Sequence, residues 1–341
     1  MEDASRHHEA TIKDVAHLAG CGIASVSRVV NNKGQVSPQL RAKVLKAAAE
    51  LGFEISDLGR SLRSRKTQTI GCVVPSISNP VYSAAVQGIQ DVAVENGQQL
   101  LLSCSNYDPE QELKAVRNLI SKRVDAMVLT VSDAQNSAAL DLLRSRGLPY
   151  RLLFNSGPDL SLDCGVDNYE AARHVGQAFS KMGHQHLGYV ALRLNRSDRS
   201  AQRLSGLKAA CEALMLAEPA ILEVDENSVF LTTQLQTFLN NHPEITGIFA
   251  SNDQLAIAII ATLRQLGKKV PQDISIIGFD GIDFGLMMEP TLATIVTYPY
   301  EMGRNVAGLV QAEQNNTTQS FSPIEVGFEY RPGGSLGPVS Y

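Results

Sequence analysis

The sequence predicts an α/β protein in which a small helical module precedes a larger body of doubly wound parallel sheets, and three observations predict it. From Thr69 onward short β-branched runs alternate with amphipathic helical stretches, the pattern of strands joined by crossover helices. Residues 11–52 carry three short helix signals, each with its own start and stop. The charge divides near the same boundary. Residues 11–66 hold ten Lys and Arg against four acids, residues 67–341 hold nineteen against twenty-eight, and the whole chain carries −5. A basic module on an acidic body is the footprint of a protein that brings one part to a polyanion. At 341 residues, 44% hydrophobic and 19% charged, the chain fits two or three globular units and excludes disorder and fibrous repeats.

In the basic module, Thr11-Ile-Lys-Asp14 places a hydroxyl before a helix and an acid at its third position, which predicts a helix over 12–19 ended by Gly20. Gly22 then serves as N-cap for a second helix over 23–30, stopped by Asn31-Asn-Lys-Gly34. Ser37-Pro38, a hydroxyl cap with proline in the first turn, opens a third helix that runs through Val44, Leu45, Ala48 and Leu51 to Gly52. The first two helices and their glycine turn read as a helix-turn-helix. On the second, Val26, Val29 and Val30 face the core, while Ser25, Ser27 and Arg28 point outward with Ile23 and Ala24 at the helix start. Hydroxyls and a guanidinium suit phosphates and base edges, and small aliphatic groups suit a thymine methyl.

Thr11-Ile-Lys-Asp-Val-Ala-His-Leu-Ala-Gly20, followed by Val26-Ser-Arg-Val-Val-Asn31 and Val36-Ser37, closely resembles the opening of the lactose repressor (LacI) family of bacterial transcription regulators. The resemblance implies that residues 23–30 enter the major groove, with Ile23, Ala24, Ser25 and Arg28 nearest the bases and Thr11, Ser27, Asn31 and Ser37 nearest the phosphates. Cys21-Gly22 stands where the family has Val-Ser, so a hydroxyl cap is lost at a cost of a few tenths of a kcal/mol.

Residues 53–66 join the module to the body and end in a basic run. A segment this short, rich in Gly and Ser, does not hold a helix alone, so a linker that orders on DNA is expected. In the family this segment becomes paired hinge helices that wedge a leucine into the minor groove, which by motif position is Leu62 after Gly59-Arg-Ser61. Ile55-Ser56 replaces the usual Pro-Asn and Gly59 the usual Ala. Because Gly costs ~1 kcal/mol relative to Ala inside a helix, a looser hinge is expected.

In the body, strand signals stand at 70–74, 100–102, 126–130, 187–190, 247–250 and 274–278, with helices over 81–96, 109–122, 202–216 and 255–266. Two such series, separated near 155–168, suggest two lobes with a ligand beside the carboxyl ends of the strands. Ser78-Asn-Pro80, Asp167-Asn168, Arg203-Leu-Ser-Gly206, Ser251-Asn-Asp253 and Ile277-Gly-Phe-Asp280 resemble the periplasmic-binding-protein-like core of the same family. That implies a tail over 1–10, a helix-turn-helix domain over 11–52, a hinge over 53–66 and a core over 67–341. It also implies crossings near 166, 297 and 327, so lobe 1 takes about 67–165 plus 298–326 and lobe 2 about 166–297 plus 327–341. The resemblance further places Asn79, Tyr82 and Asn155 (or Phe154) in an effector cleft from the first lobe, and Arg203, Asn252 and Asp280 from the second. The chemistry fits a polyol: a carboxylate accepts from adjacent hydroxyls, Arg and Asn donate to them, and Tyr offers an apolar face to a ring.

Arg193, Arg196, Arg199 and Arg203 fall within eleven residues. A solvated loop is the ordinary reading of such a run; an anionic ligand is the other. The dinucleotide, phosphate-loop and zinc-protease signatures are absent, and Gly333-Gly-Ser-Leu-Gly337 lies where no helix or later His follows, so no enzyme, cofactor or metal is expected. The apolar run 255–263 is too short for a span, the N-terminus has no apolar leader and the five cysteines form no Cys-x-x-Cys, so a cytoplasmic protein is expected. These readings converge on a homodimeric repressor released from pseudo-palindromic operator DNA by a neutral mono- or disaccharide, with a corepressor-dependent regulator of anionic ligands as the alternative.

Overall fold

The computed structural model describes residues 10–30, 34–53, 67–155, 163–225, 231–314 and 324–339. The chain divides between Thr67 and Gln68 into two compact units.

The first unit holds α1 (Ile12–Leu18), α2 (Ile23–Val30) and α3 (Pro38–Glu50). Thr11 and Asp14 close a capping box: the Thr11 amide donates to Asp14 Oδ2 at 2.8 Å and the Asp14 amide to Thr11 Oγ1 at 3.4 Å. Ser37 caps α3 by accepting from the Leu40 amide at 3.3 Å. Val15, Ala16, Val26, Val29, Val44 and Ala47 form the core. Leu45, expected on that core face, is 51% exposed, and Leu51 is also exposed. Val44 and Ala47 are one helical step apart on the buried face, and Leu45, rotated about 100° from Val44, falls off it.

The second unit contains two six-stranded sheets. The first has β1 (Thr69–Val74), β2 (Gln99–Cys104), β3 (Ala126–Leu129), β4 (Tyr150–Leu153), β5 (Asp163–Gly165) and β11 (Ile324–Glu325), in the order β11-β5-β4-β3-β1-β2, all parallel. The second has β6 (Leu187–Leu192), β7 (Ala220–Val224), β8 (Gly247–Ala250), β9 (Ser275–Asp280), β10 (Ala293–Val296) and β12 (Glu329–Arg331), in the order β12-β10-β9-β8-β6-β7. Only β12 runs antiparallel to its neighbour. Helices α4 (Pro80–Glu95), α5 (Pro109–Ser121) and α6 (Ala138–Arg146) belong to the first series, and α7 (Asn168–Lys181), α8 (Asp198–Ala213), α9 (Thr232–Asn241) and α10 (Asp253–Gln265) to the second. The chain passes between sheets after β5, after β10 and between β11 and β12, and α11 (Pro299–Gln314) returns to pack on α4.

Strands buried on both faces read as continuous apolar runs, which is why β1, β3, β8 and β9 stand out in the sequence. The helix pairs α4–α11 and α7–α8 meet at glycines: a Cβ on Gly303 would collide with the Ala85 carbonyl, and one on Gly206 with the Tyr169 carbonyl. Helix α8 begins four residues ahead of the expected 202. Ser197 caps it by accepting from the Ser200 amide at 3.3 Å, which draws Asp198, Arg199 and Ser200 into its first turn. Among the described residues, no helix is long and apolar enough to cross a membrane.

Candidate functional site

Helix α2 presents the surface that the sequence singles out. Ile23, Ala24 and Arg28 are exposed and Ser25 and Ser27 half-buried, while Val26 and Val29 are buried behind them. Alternation at helical spacing accounts for this division. Thr11 and Ser37 are exposed N-cap residues, and the Thr11 hydroxyl donates to Asp14 Oδ2 at 2.6 Å. Asn31 and Leu62 lie outside the described residues.

In the second unit a narrow cleft, partly open to solvent, lies between the two sheets. The first lobe supplies Asn79, Tyr82, Tyr107 and Phe154, and the second supplies Asn168, Arg199, Arg203, Ser251, Asn252 and Asp280. Four helices start at its wall: Asn79 is the N-cap of α4, Asn168 the first residue of α7, Ser197 the cap of α8 and Asn252 the cap of α10. This follows from strands that all end on the same side and feed helices there, so that partial positive charge converges on the cavity.

Local bonds position each group. Asn79 Oδ1 accepts from the Val81 amide at 3.1 Å, and Asn252 Oδ1 from the Leu255 amide at 2.8 Å. Tyr82 meets the Phe154 ring edge-on, with centroids 5.4 Å apart, and the Tyr107 ring at 6.2 Å. Arg203 donates through Nε to Asn168 Oδ1 at 2.8 Å and through Nη1 to the Ser251 carbonyl, and its Cζ lies 3.4 Å from the Phe279 ring centroid. Its guanidinium is thereby held flat on an aromatic face. Burial pushes the Asp280 carboxyl up to about 8, with Arg203 opposing the rise. Asp280 has a left-handed φ of +115°, and the turn after it is tied to Asp253, which accepts from the Gly281 and Ile282 amides at 2.8 Å each.

Of the six effector positions expected from the sequence, Asn79, Tyr82, Arg203, Asn252 and Asp280 line this cavity, and Asn155 does not. Asn155 is wholly buried, accepts from the Val131 amide at 3.0 Å, and donates to the Val131 carbonyl at 2.9 Å and Asp198 Oδ2 at 2.8 Å. It ties the lobes together, and its neighbour Phe154 reaches the cavity instead. The arginine run does not behave as one solvated loop. Arg193 is exposed and pairs with Asp225 at 2.7 Å, whereas Arg199 is 4% exposed and lines the cavity beside Arg203. Sequence reasoning passed over Tyr107, Asn168, Ser197 and Ser251; of these only the helix-start position of Asn168 and the Ser251-Asn-Asp253 motif carried a signal. Among the described residues no cluster of three His, Cys, Asp or Glu is placed to hold a metal.

Residues 11–55 match the family described as bacterial regulatory proteins, lacI family, and residues 67–328 match periplasmic binding proteins and sugar binding domain of LacI family. The chain belongs to the LacI family. It is a DNA-binding transcriptional regulator of that family, and its relatives are regulators rather than enzymes. The HTH-type transcriptional regulator GntR of Escherichia coli K12 is 31% identical over 327 residues, covering 95% of this chain and 98% of the relative. Catabolite control protein A of Priestia megaterium is 30% identical over 319 residues, covering 93% and 96%. Among solved structures, a LacI-family regulator from Silicibacter pomeroyi superposes with TM-score 0.86 at 24% identity, covering 96% of this chain and 99% of that one. The lac repressor dimer bound to operator and the anti-inducer ONPF gives 0.84 at 24% identity, covering 96% and 99%. The LacI-family fold thus extends over nearly the whole chain.

Proposed function

We propose that the protein is a homodimeric repressor that holds a pseudo-palindromic operator and lets it go when a small polyhydroxylated, sugar-like effector occupies the cleft. Ile23, Ala24, Ser25 and Arg28 read bases in the major groove, Thr11, Ser27, Asn31 and Ser37 hold phosphates, and Leu62 wedges the minor groove. Two helix-turn-helix units read two half-sites, which requires a dimer. Binding of the effector across the lobes alters their closure and separates the paired hinges; its differential affinity for the two states sets how far the operator is released.

The observation that supports this reading is the pairing of acceptor and donors at one cavity wall: Asp280 beside Arg203 and Asn252, with Tyr82 opposite. Vicinal hydroxyls are donors and acceptors at once and satisfy such a set. The solved relatives support it too, since one is a CelR–cellobiose complex and another a LacI-family regulator from Enterococcus faecium with bound ribose.

The test is operator binding by fluorescence anisotropy, using a site selected from random DNA by the purified full chain. Affinity should fall by ~10³–10⁵ between 50 and 200 mM salt if six to ten phosphates are contacted. Removal of residues 1–66 should abolish binding while the body keeps its thermal transition. Specific binding that survives the removal refutes the reading.

A further inference from the structure

The chain passes between the sheets three times, and the second passage starts at the wall of the cleft. The Asp280 carbonyl accepts from the Thr297 amide and from the Thr297 hydroxyl, each at 3.2 Å. Thr297 is buried and lines the cleft with Asp280. Gly281, the next residue of the same turn, sits so close on β10 that a Cβ there would come within 2.7 Å of Val296 Cα. Close packing of this kind leaves no slack. The turn that carries the Asp280 carboxyl and the residues that lead out of β10 therefore move together.

Tyr298 follows, and there the chain changes lobe. Its carbonyl accepts from the Met302 amide at 3.1 Å and so opens α11, which packs on α4 in the first lobe. Its φ is +49°, a left-handed value that disfavours any residue with a side chain and persists where the surroundings impose it. The Tyr298 hydroxyl donates to Glu329 Oε2 at 2.9 Å. Glu329 is the first residue of β12 in the second lobe, directly after the third passage. The pairing of β10 with β12 ends at Val296 and Glu329, so the side-chain bond carries the tie past the end of the sheet to the start of a helix in the other lobe. The third passage is itself joined to the first, since the Val326 amide donates to the Gly165 carbonyl at 2.8 Å. Both partners of the side-chain bond are exposed, and an exposed bond adds little to the stability of the fold. What it fixes is the direction in which α11 leaves the second lobe.

We propose that Tyr298 is a positioning residue for the regulatory response: through Glu329 it locks the second passage to the third, so that a shift at Asp280 turns both lobes as one hinge and sets how well the protein holds its operator. The inference rests on the reading of the protein as a repressor released by its effector. On that reading the ligand-free protein is the form that binds DNA, and the Tyr298–Glu329 bond favours it. Tyr300 supplies an internal comparison. It lies two residues further on, is 37% exposed against 42% for Tyr298, and its hydroxyl donates to Asp91 at 2.8 Å. That bond joins α11 to α4 inside the first lobe and spans no passage. Two hydroxyl–carboxylate bonds of like length and exposure thus differ in whether they cross between the lobes.

The experiment compares Tyr298→Phe with Tyr300→Phe in the full-length, ligand-free protein, reading thermal transition, amide hydrogen exchange and affinity for an operator selected from random DNA. Each variant loses one exposed bond, so the two transitions should shift alike, by about 2–4 °C at most. Tyr298→Phe should speed exchange of the Thr297 amide and of segment 326–329 and weaken operator binding, each by about 2- to 10-fold. Tyr300→Phe should leave both within twofold. Glu329→Ala should reproduce the loss, the double variant with Tyr298→Phe should be no worse than either single one, and Glu329→Gln, which keeps an acceptor oxygen, should restore binding. Operator affinity unmoved by Tyr298→Phe, or moved equally by Tyr300→Phe, overturns the role given to Tyr298. Tighter operator binding by Tyr298→Phe alone supports the coupling but overturns release by the effector. If no specific operator is selected, the repressor reading falls, and exchange at Thr297 and 326–329 still decides whether the bond locks the two passages.

Discussion

Asp253 is the carboxylate on which the far wall of the cleft hangs, and replacing it separates two contributions that are usually entangled. It is wholly buried; Oδ2 accepts from the Gly281 and Ile282 amides at 2.8 Å, and Oδ1 from the Thr294 hydroxyl at 2.6 Å. Burial raises its carboxyl from 3.8 to about 6, so at neutral pH the ionised form is held at a cost of roughly 3 kcal/mol relative to the acid. Asp253→Asn removes that cost and keeps the bonds: the carboxamide oxygen serves both amides and Nδ2 donates to Thr294 Oγ1. Asp253→Ala also removes the charge but leaves two amides and a hydroxyl without acceptors, at about 1 kcal/mol or more each. The alanine variant should therefore lie about 3 kcal/mol below the asparagine variant. At ~2–4 °C per kcal/mol for a unit of this size, that is a gap of about 6–12 °C in Tm, read by differential scanning calorimetry at pH 7. The sign of the pH dependence follows from the raised pKa. The folded state binds this proton more tightly than the unfolded chain, so wild-type stability falls as pH rises from about 4 to about 6, and the asparagine variant lacks that fall. An alanine variant as stable as the asparagine one would refute the assignment of the network.

Asp280 extends the same logic to higher pH: its carboxyl, raised to about 8, makes the ligand-free protein lose about 1.4 kcal/mol per pH unit between pH 6 and 8, a slope absent from Asp280→Asn in parallel urea titrations. Gly303→Ala forces a methyl against the Ala85 carbonyl and should cost about 1–3 kcal/mol, whereas Gly308→Ala in the same helix meets open space and should stabilise by ~0.5–1 kcal/mol; equal thermal shifts for the two would contradict the packing. Cys104 is exposed while Cys164 is buried and burial pushes the Cys72 and Cys211 thiols up to about 12 and 11, so an aromatic disulfide reagent should titrate Cys104 in the native protein and reach those three only on unfolding.

The parts of this molecule that could be read from the chain are those whose causes are local. A capping box, a Ser-Pro helix start and valines at helical spacing announce α1 to α3 without any tertiary contact, and doubly buried strands announce themselves as apolar runs. Leu45 was misplaced because an aliphatic residue beside Val44 satisfies a loose helical pattern in either of two phases, and only packing chooses between them. Helix α7 gave little signal because it packs with small residues, Ala171, Ala172 and Gly176, whose burial depends on the close approach of α8. The cleft divides along the same line. Asp280 and Arg203 sit in recognisable motifs, while Arg199 looks like part of a solvated run until the lobes come together over it. Asn155 and Phe154 exchange roles for a comparable reason, since which of two consecutive residues turns inward is set by the bond that Asn155 makes across the lobes.

The order in which the chain leaves and re-enters each sheet bears on how the protein is made. Helix α4 waits for α11, and β5 waits for β11, both encoded more than a hundred residues later. During synthesis the first lobe therefore emerges without the pieces that cover its face and edge, while the whole middle of the second lobe is still to be translated. At ~5–20 residues per second, the roughly 200 residues from α4 to α11 leave that apolar surface uncovered for about ten seconds or more on the ribosome. A chain stopped before Pro299 would lack the helix that packs on α4, and the first lobe would keep that face uncovered.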